Sequence, residues 1–220
     1  MTAVIDEFRI SGPHAAGNPV LVLLHGRGSN EDDLLQLASL LNRDPTGEAD
    51  PFTVVTPRAP WPGAPWGYGP GWAWYRYLGE DRPEPESLEG SLAALDDLMD
   101  GLEDTLGTAP GPIFLGGFSQ GGTMSLAWSL SRPGRVAGAM NLSGFLADAP
   151  QVQDHLGNAE GLPVFWGHGR ADPAIPFALG EKGRARLKEH EAALETFDHD
   201  GGHTITPGEL EALRSWLRES

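Results

Sequence analysis

Short, continuously apolar runs recur along this chain, separated by stretches of helical periodicity, and no other feature narrows its fold so far. Pro19 to Leu24 (PVLVLL), Phe52 to Val55, Ile113 to Phe118, Val136 to Leu142, Pro163 to Gly167 and Ala193 to Phe197 each have the length and residue content of a buried strand. Between them, apolar residues fall at helical spacing: Leu34, Leu37, Leu40 and Leu41, with Ser29 or Asn30 as the cap; Leu88, Leu92, Leu95, Met99, Leu102 and Leu106 on one long helix; then Met124 to Leu130, Phe177 to Glu189, and Leu210, Leu213 and Leu217 after Pro207. Strands buried on both faces and alternating with helices predict an α/β class, with a mostly parallel central sheet and helices on both faces. The 220 residues suit one hydrophobic core, so a single domain over 1–220 is expected.

One segment breaks the rhythm. From about 56 to 85 the chain is crowded with Trp, Pro, Gly and Tyr. A loop of this length inside a domain is usually functional, and its aromatic content predicts an ordered wall or lid near a site.

In parallel sheets, reactive groups collect in loops beyond the carboxyl ends of the strands. The stretch Gly116 to Gly122 (GGFSQGG) lies there, with a strand before it and a helix after it. Gly117-Phe118-Ser119-Gln120-Gly121 matches G-x-S-x-G, in which a sharp turn lifts a serine above the sheet and only small neighbours avoid the flanking strand and helix. A serine nucleophile needs a base, and the base an orienting carboxylate. Both follow in order. A strand ends in His168-Gly169-Arg170-Ala171-Asp172, and the last strand runs out into His199-Asp200-Gly201-Gly202-His203. Ser119, Asp172 and His203 are the expected catalytic set. His199 is a rival base, Asp148 and Asp198 are rival acids, and His25, His168 and Ser143 read as structural supports at strand ends.

Together HGRGSNEDD, GGFSQGG, HGRADPAIP and GGHTI resemble the phospholipase/carboxylesterase family of α/β hydrolases, over roughly Pro19 to Leu217. The resemblance implies an α/β-hydrolase fold, with Ser119 as nucleophile, Asp172 as acid and His203 as base. It also implies an oxyanion hole formed by the backbone N–H groups of Arg27 and Gln120. The position of Arg27 is often apolar in the thioesterase branch, and Trp72-Ala73-Trp74-Tyr75 looks more like the bacterial carboxylesterase branch. The expected activity is therefore a serine carboxylesterase acting on short to medium acyl chains, with an acyl-protein thioesterase or lysophospholipase as the alternative. Trp61, Trp66, Trp72, Trp74, Phe145, Leu146 and Phe177 are candidates for the acyl pocket.

Composition removes other classes. With 31 acidic against 15 basic residues the net charge is -16, which repels nucleic acid and anionic membranes at long range. Cysteine is absent, which excludes thiolate nucleophiles and thiolate metal sites. A metal-assisted hydrolase using His199, Asp200 and His203 with His168 or Asp172 would leave the glycines around Ser119 unexplained, and an intact expected triad argues against a binding protein that kept the fold but lost catalysis. Neither metal nor cofactor is expected. The remaining expectations are a small ester substrate, no stable membrane insertion, a cytoplasmic location, and a homodimer of the kind common in the family.

Overall fold

The computed structural model describes residues 2–43 and 52–220. In chain order the elements are β1 (Phe8–Ser11), β2 (Val20–Leu24), α1 (Leu35–Leu41), β3 (Thr53–Pro57), β4 (Trp61–Pro62), β5 (Trp72–Ala73), α2 (Pro85–Asp100), α3 (Leu102–Leu106), β6 (Ile113–Phe118), α4 (Gln120–Ser131), β7 (Gly138–Leu142), α5 (Pro150–Gln153), β8 (Pro163–Gly169), α6 (Phe177–Glu189), β9 (Ala193–His199) and α7 (Pro207–Glu219). Seven strands form one sheet in the order β1-β3-β2-β6-β7-β8-β9. All neighbours are parallel except β1, which runs antiparallel to β3.

The continuous apolar runs are explained by two cores, one on each face of the sheet. Along β2, Val20, Val22 and Leu24 face one core while Leu21 and Leu23 face the other, as strand alternation requires. The first core takes Leu88, Leu92 and Leu95 of α2, Met124 and Trp128 of α4, and Leu187 of α6. The second takes Leu37 and Leu41 of α1 and Leu213, Trp216 and Leu217 of α7.

This division positions the site. After β2 the chain turns to α1 on one face and adds β3; after β6 it turns to α4 on the opposite face and adds β7. The loops leaving β2 and β6 diverge at this reversal of winding, and a crevice opens between them above adjacent strands.

Four local features differ from the sequence expectations. The expected long helix is interrupted at Gly101, between α2 and α3, where the weakest helix former after proline sits. The start of α1 has no side-chain cap; Asn30 Oδ1 instead accepts the N–H of Asp32 at 3.0 Å in a local turn. β1 lacks a strongly apolar run and owes its place to pairing with β3 and to Arg9, which binds Glu31 at 2.9 Å and Asp32 at 2.8 Å. Segment 56–85 is not without structure: β4 and β5 pair within it around a single 3-10 turn at Ala64–Trp66.

Candidate active site

Ser119 connects β6 directly to α4. Its backbone adopts φ 56° and ψ -118°, a left-handed conformation costly for a residue with a Cβ. Packing on both sides holds it there. A Cβ on Gly117 would overlap the carbonyl oxygen of Leu24 and approach Gly121 C at 2.6 Å. One on Gly121 would overlap the Leu24 carbonyl and come within 2.7 Å of the His25 oxygen. The glycines are therefore required by the approach of α4 to the end of β2. The Ser119 N–H donates to Leu142 O at 2.7 Å, which pins the turn to β7.

His203 and Asp172 arrive from the ends of β9 and β8. Asp172 Oδ1 accepts the N–H groups of Ala174 and Ile175 at 2.8 and 2.9 Å, which fixes the carboxylate. Its Oδ2 lies 2.7 Å from His203 Nδ1. An ionised carboxylate only accepts, so Nδ1 carries the proton and Nε2 is left as a base. The ring rests against Phe118, with centroids 4.7 Å apart. Ser119 and His203 line one cleft of about 300 Å³, together with Gly26, Arg27, Gln120 and several aromatic residues.

The N–H of Arg27 and that of Gln120 have no hydrogen-bond partner among the described residues. Gln120 is the first residue of α4, where the backbone donor lies outside the helical ladder and at its positive end. Two donors beside the serine are what an oxyanion requires. The side chain of Gln120 has a separate task that its motif position does not reveal. Its Oε1 accepts the Trp74 N–H and its Nε2 donates to Tyr75 O, both at 2.8 Å, so the nucleophile turn clamps the aromatic segment.

That segment is also stitched to the β2 loop. Gly28 N–H donates to Trp72 O and Trp72 N–H to Ser29 O, each at 2.7 Å, and Trp74 Nε1 donates to His25 O at 3.0 Å. His25 supports the loop, donating from Nδ1 to Gly26 O at 2.7 Å while Nε2 accepts the Ala59 N–H at 3.0 Å. Burial lowers its pKa and favours this neutral form. His168 donates from Nε2 to Ile175 O at 3.0 Å and braces the Asp172 loop; burial lowers its pKa as well.

Among the expected pocket residues the structure brings Phe145 to the cleft but not the others. Trp72 packs beneath Arg58, Trp74 is buried against His25, Leu146 faces a separate small cavity with Asp81 and Lys182, and Phe177 covers His168 and Arg170. Trp61 and Trp66 pack against each other with tilted rings, outside the lining of the cleft. The apolar wall is instead Tyr75, Tyr77, Phe118, Phe145 and Ile175. The alternation Tyr75-Arg76-Tyr77 was the available signal, since period two places both tyrosines on one side.

The rival residues are engaged elsewhere. His199 Nδ1 accepts the Gly201 N–H at 3.1 Å, and its Nε2 faces Glu209 at 3.3 Å, on the α7 side of the sheet. Asp198 pairs with Arg184 and Arg170, and Asp148 lines the small cavity. Ser143, buried with φ 58°, receives β8 through its N–H bond to Gly167 O. Among the described residues no three His, Asp or Glu side chains are arranged to hold a metal ion, and no helix is long and apolar enough to cross a membrane.

Comparison with known proteins places the chain in a family and a fold. The family model described as Phospholipase/Carboxylesterase matches residues 5–220. The chain is similar to acyl-protein thioesterase 1 of Cryptococcus neoformans, at 29% identity over all of this chain and 99% of that protein. It is similar to lysophospholipase-like protein 1 of Mus musculus, at 32% identity over 94% of this chain and 87% of that one. Among solved structures, Zea mays acyl-protein thioesterase 2 superposes with a TM-score of 0.79 at 23% identity, over 97% of this chain and 98% of that one, a likeness of fold.

Proposed function

The chain belongs to the phospholipase/carboxylesterase family of α/β hydrolases, and from that premise we propose that it removes short to medium acyl groups from esters or thioesters through an acyl intermediate on Ser119. It is a hydrolase of the ester-cleaving kind. The observation that carries the finer reading is the shared cleft, lined both by Ser119 and by a histidine already oriented by Asp172 at 2.7 Å.

In this reading His203 Nε2 takes the Ser119 proton as Oγ attacks the carbonyl carbon. The developing oxyanion is held by the N–H groups of Arg27 and Gln120. Asp172 keeps the Nδ1–H tautomer and stabilises the imidazolium. His203 then gives its proton to the departing alcohol or thiol, and the acyl group remains on Ser119. Water, deprotonated by the same nitrogen, attacks the acyl carbon and releases the acid while Ser119 recovers its proton.

The cleft lies at the small end of the range for ligand sites, which supports short to medium acyl groups. The name of the Cryptococcus relative favours a second reading, in which the leaving group is a protein thiol. The test is hydrolysis of p-nitrophenyl esters and of S-acyl N-acetylcysteamine thioesters from acetyl to palmitoyl, with Ser119→Ala beside the parent. We expect an optimum at short to medium chains and loss of turnover by roughly 10³-fold or more in Ser119→Ala. A Ser119-dependent optimum at palmitoyl thioester would favour the thioesterase reading, and turnover that survives in Ser119→Ala would refute the acyl-serine route.

A further inference from the structure

Arg27 has a side chain that the reaction above does not use. Ten arginines and lysines form ion pairs among the described residues. Arg27 is not one of them, although the chain carries twice as many acids as bases. Its guanidinium instead lies 4.8 Å from the centre of the Tyr68 ring and 5.7 Å from that of Tyr77, and the residue lines the catalytic cleft.

The support for this cation is built. The backbone N–H of Tyr77 donates to the Tyr68 hydroxyl at 2.7 Å, which ties the Tyr68 side chain to the segment of chain that carries Tyr77. Tyr68 itself meets Trp66 edge to face, with ring centroids 5.9 Å apart. Gly28, adjacent to Arg27, has φ 79° and lies so close to the Tyr68 carbonyl that a Cβ would approach it at 2.5 Å. The segment that sequence marks as an aromatic wall thus seats one guanidinium. Ring faces hold a cation while leaving its N–H fork unpaired and directed outward.

Resting on the hydrolase reading of the same cleft, we infer that Arg27 selects substrates carrying a carboxylate near the scissile ester. Two observations define that ligand. The backbone N–H of Arg27 is an oxyanion donor in that reading, so the guanidinium stands within one arginine side chain of the reacting carbonyl, and the anionic group must be only a few bonds away. Asp33 lines the same cleft and has no ion-pair partner among the described residues, so a second negative charge on the ligand would meet its carboxylate. A singly charged carboxylate is accommodated there better than a doubly charged phosphate. The planar fork of arginine matches two carboxylate oxygens.

The test compares matched neutral and anionic substrates. Phenyl acetate against meta-acetoxybenzoate places the carboxylate on the leaving group; ethyl pentanoate against monoethyl succinate places it on the acyl group. The readout is the ratio of kcat/KM, anionic to neutral, within each variant. This ratio cancels any general change in the oxyanion loop. In at least one pair the ratio should fall about tenfold in Arg27→Met, the loss of one charge-assisted contact. It should also fall in Tyr68→Leu, which removes the ring beneath the guanidinium, and rise in Asp33→Asn. The pair that responds identifies the side of the ester bearing the carboxylate. Ser119-dependent turnover with ratios unchanged in Arg27→Met and Tyr68→Leu overturns the inference alone. Absence of Ser119-dependent turnover of all four substrates overturns the hydrolase reading and this inference with it.

Discussion

Gly121 shows how tightly single residues constrain the nucleophile. A methyl group there would collide with the backbone carbonyls of Leu24 and His25, and these belong to the end of a central strand that cannot retreat. Gly121→Ala should therefore destabilise the protein by about 1–3 kcal/mol and displace Ser119. Urea unfolding with an unchanged m-value reads the loss, and a variant as stable as the parent would mean that this junction yields freely. Single positions also differed in how much the sequence disclosed. Ser119, Asp172 and His203 lie in motifs whose spacing marks them, whereas Tyr75, Tyr77, Phe118 and Ile175 enter the cleft through the path of the backbone. Large apolar side chains gain most from full burial, and Trp74, expected at the pocket, is completely inside.

At the scale of elements, the packing of α7 on the sheet carries a pH dependence. Glu209 forms a capping box with Thr206, whose hydroxyl accepts the Glu209 N–H at 3.2 Å. The same carboxyl is fully buried under Gly167, and burial pushes its pKa from 4.5 up to about 7, against the opposing pull of the Thr206 N–H and Arg184. Because the unfolded chain releases this proton first, the contribution of Glu209 to stability is full below pH 4.5 and declines as pH rises through 7, by at most roughly 3 kcal/mol. Glu209→Gln keeps an acceptor for Thr206 and should flatten that decline in denaturant unfolding measured across the interval. A slope equal to that of the parent would assign the titration to another group. Glu31 shows the opposite case: hydrogen bonds from Arg58 at 2.6 Å hold its carboxyl down at about 2 and secure the loop between β2 and α1 to the end of β3. Thr206 and Glu209 stand at the T-x-x-E spacing of a capping box, whereas the pairing of Glu31 with Arg58 leaves no motif, since 27 residues separate them.

For the whole molecule, the surplus of 31 acids over 15 bases sets a long-range repulsion that no local pairing removes. Raising ionic strength from about 0.01 M to 0.15 M shortens the Debye length from roughly 30 Å to 8 Å, so the Tm should rise over that range. A Tm that falls would mean that the ion pairs contribute more than the repulsion. The same scale separates what the chain's order of residues determined from what assembly decided. Alternating apolar runs determined the α/β layering, and the glycine-flanked serine followed by Asp172 and His203 determined which strand ends would meet. These are local patterns, readable because period and spacing survive without tertiary contacts. The tertiary structure decided that β1 joins the sheet, that Gln120 clamps Trp74 and Tyr75, that His199 turns toward Glu209, and that Tyr68 and Tyr77 hold Arg27 over the cleft. Each of these joins residues from different elements, and their meeting depends on the reversal of winding between β2 and β6 and on backbone hydrogen bonds that leave no trace in residue order.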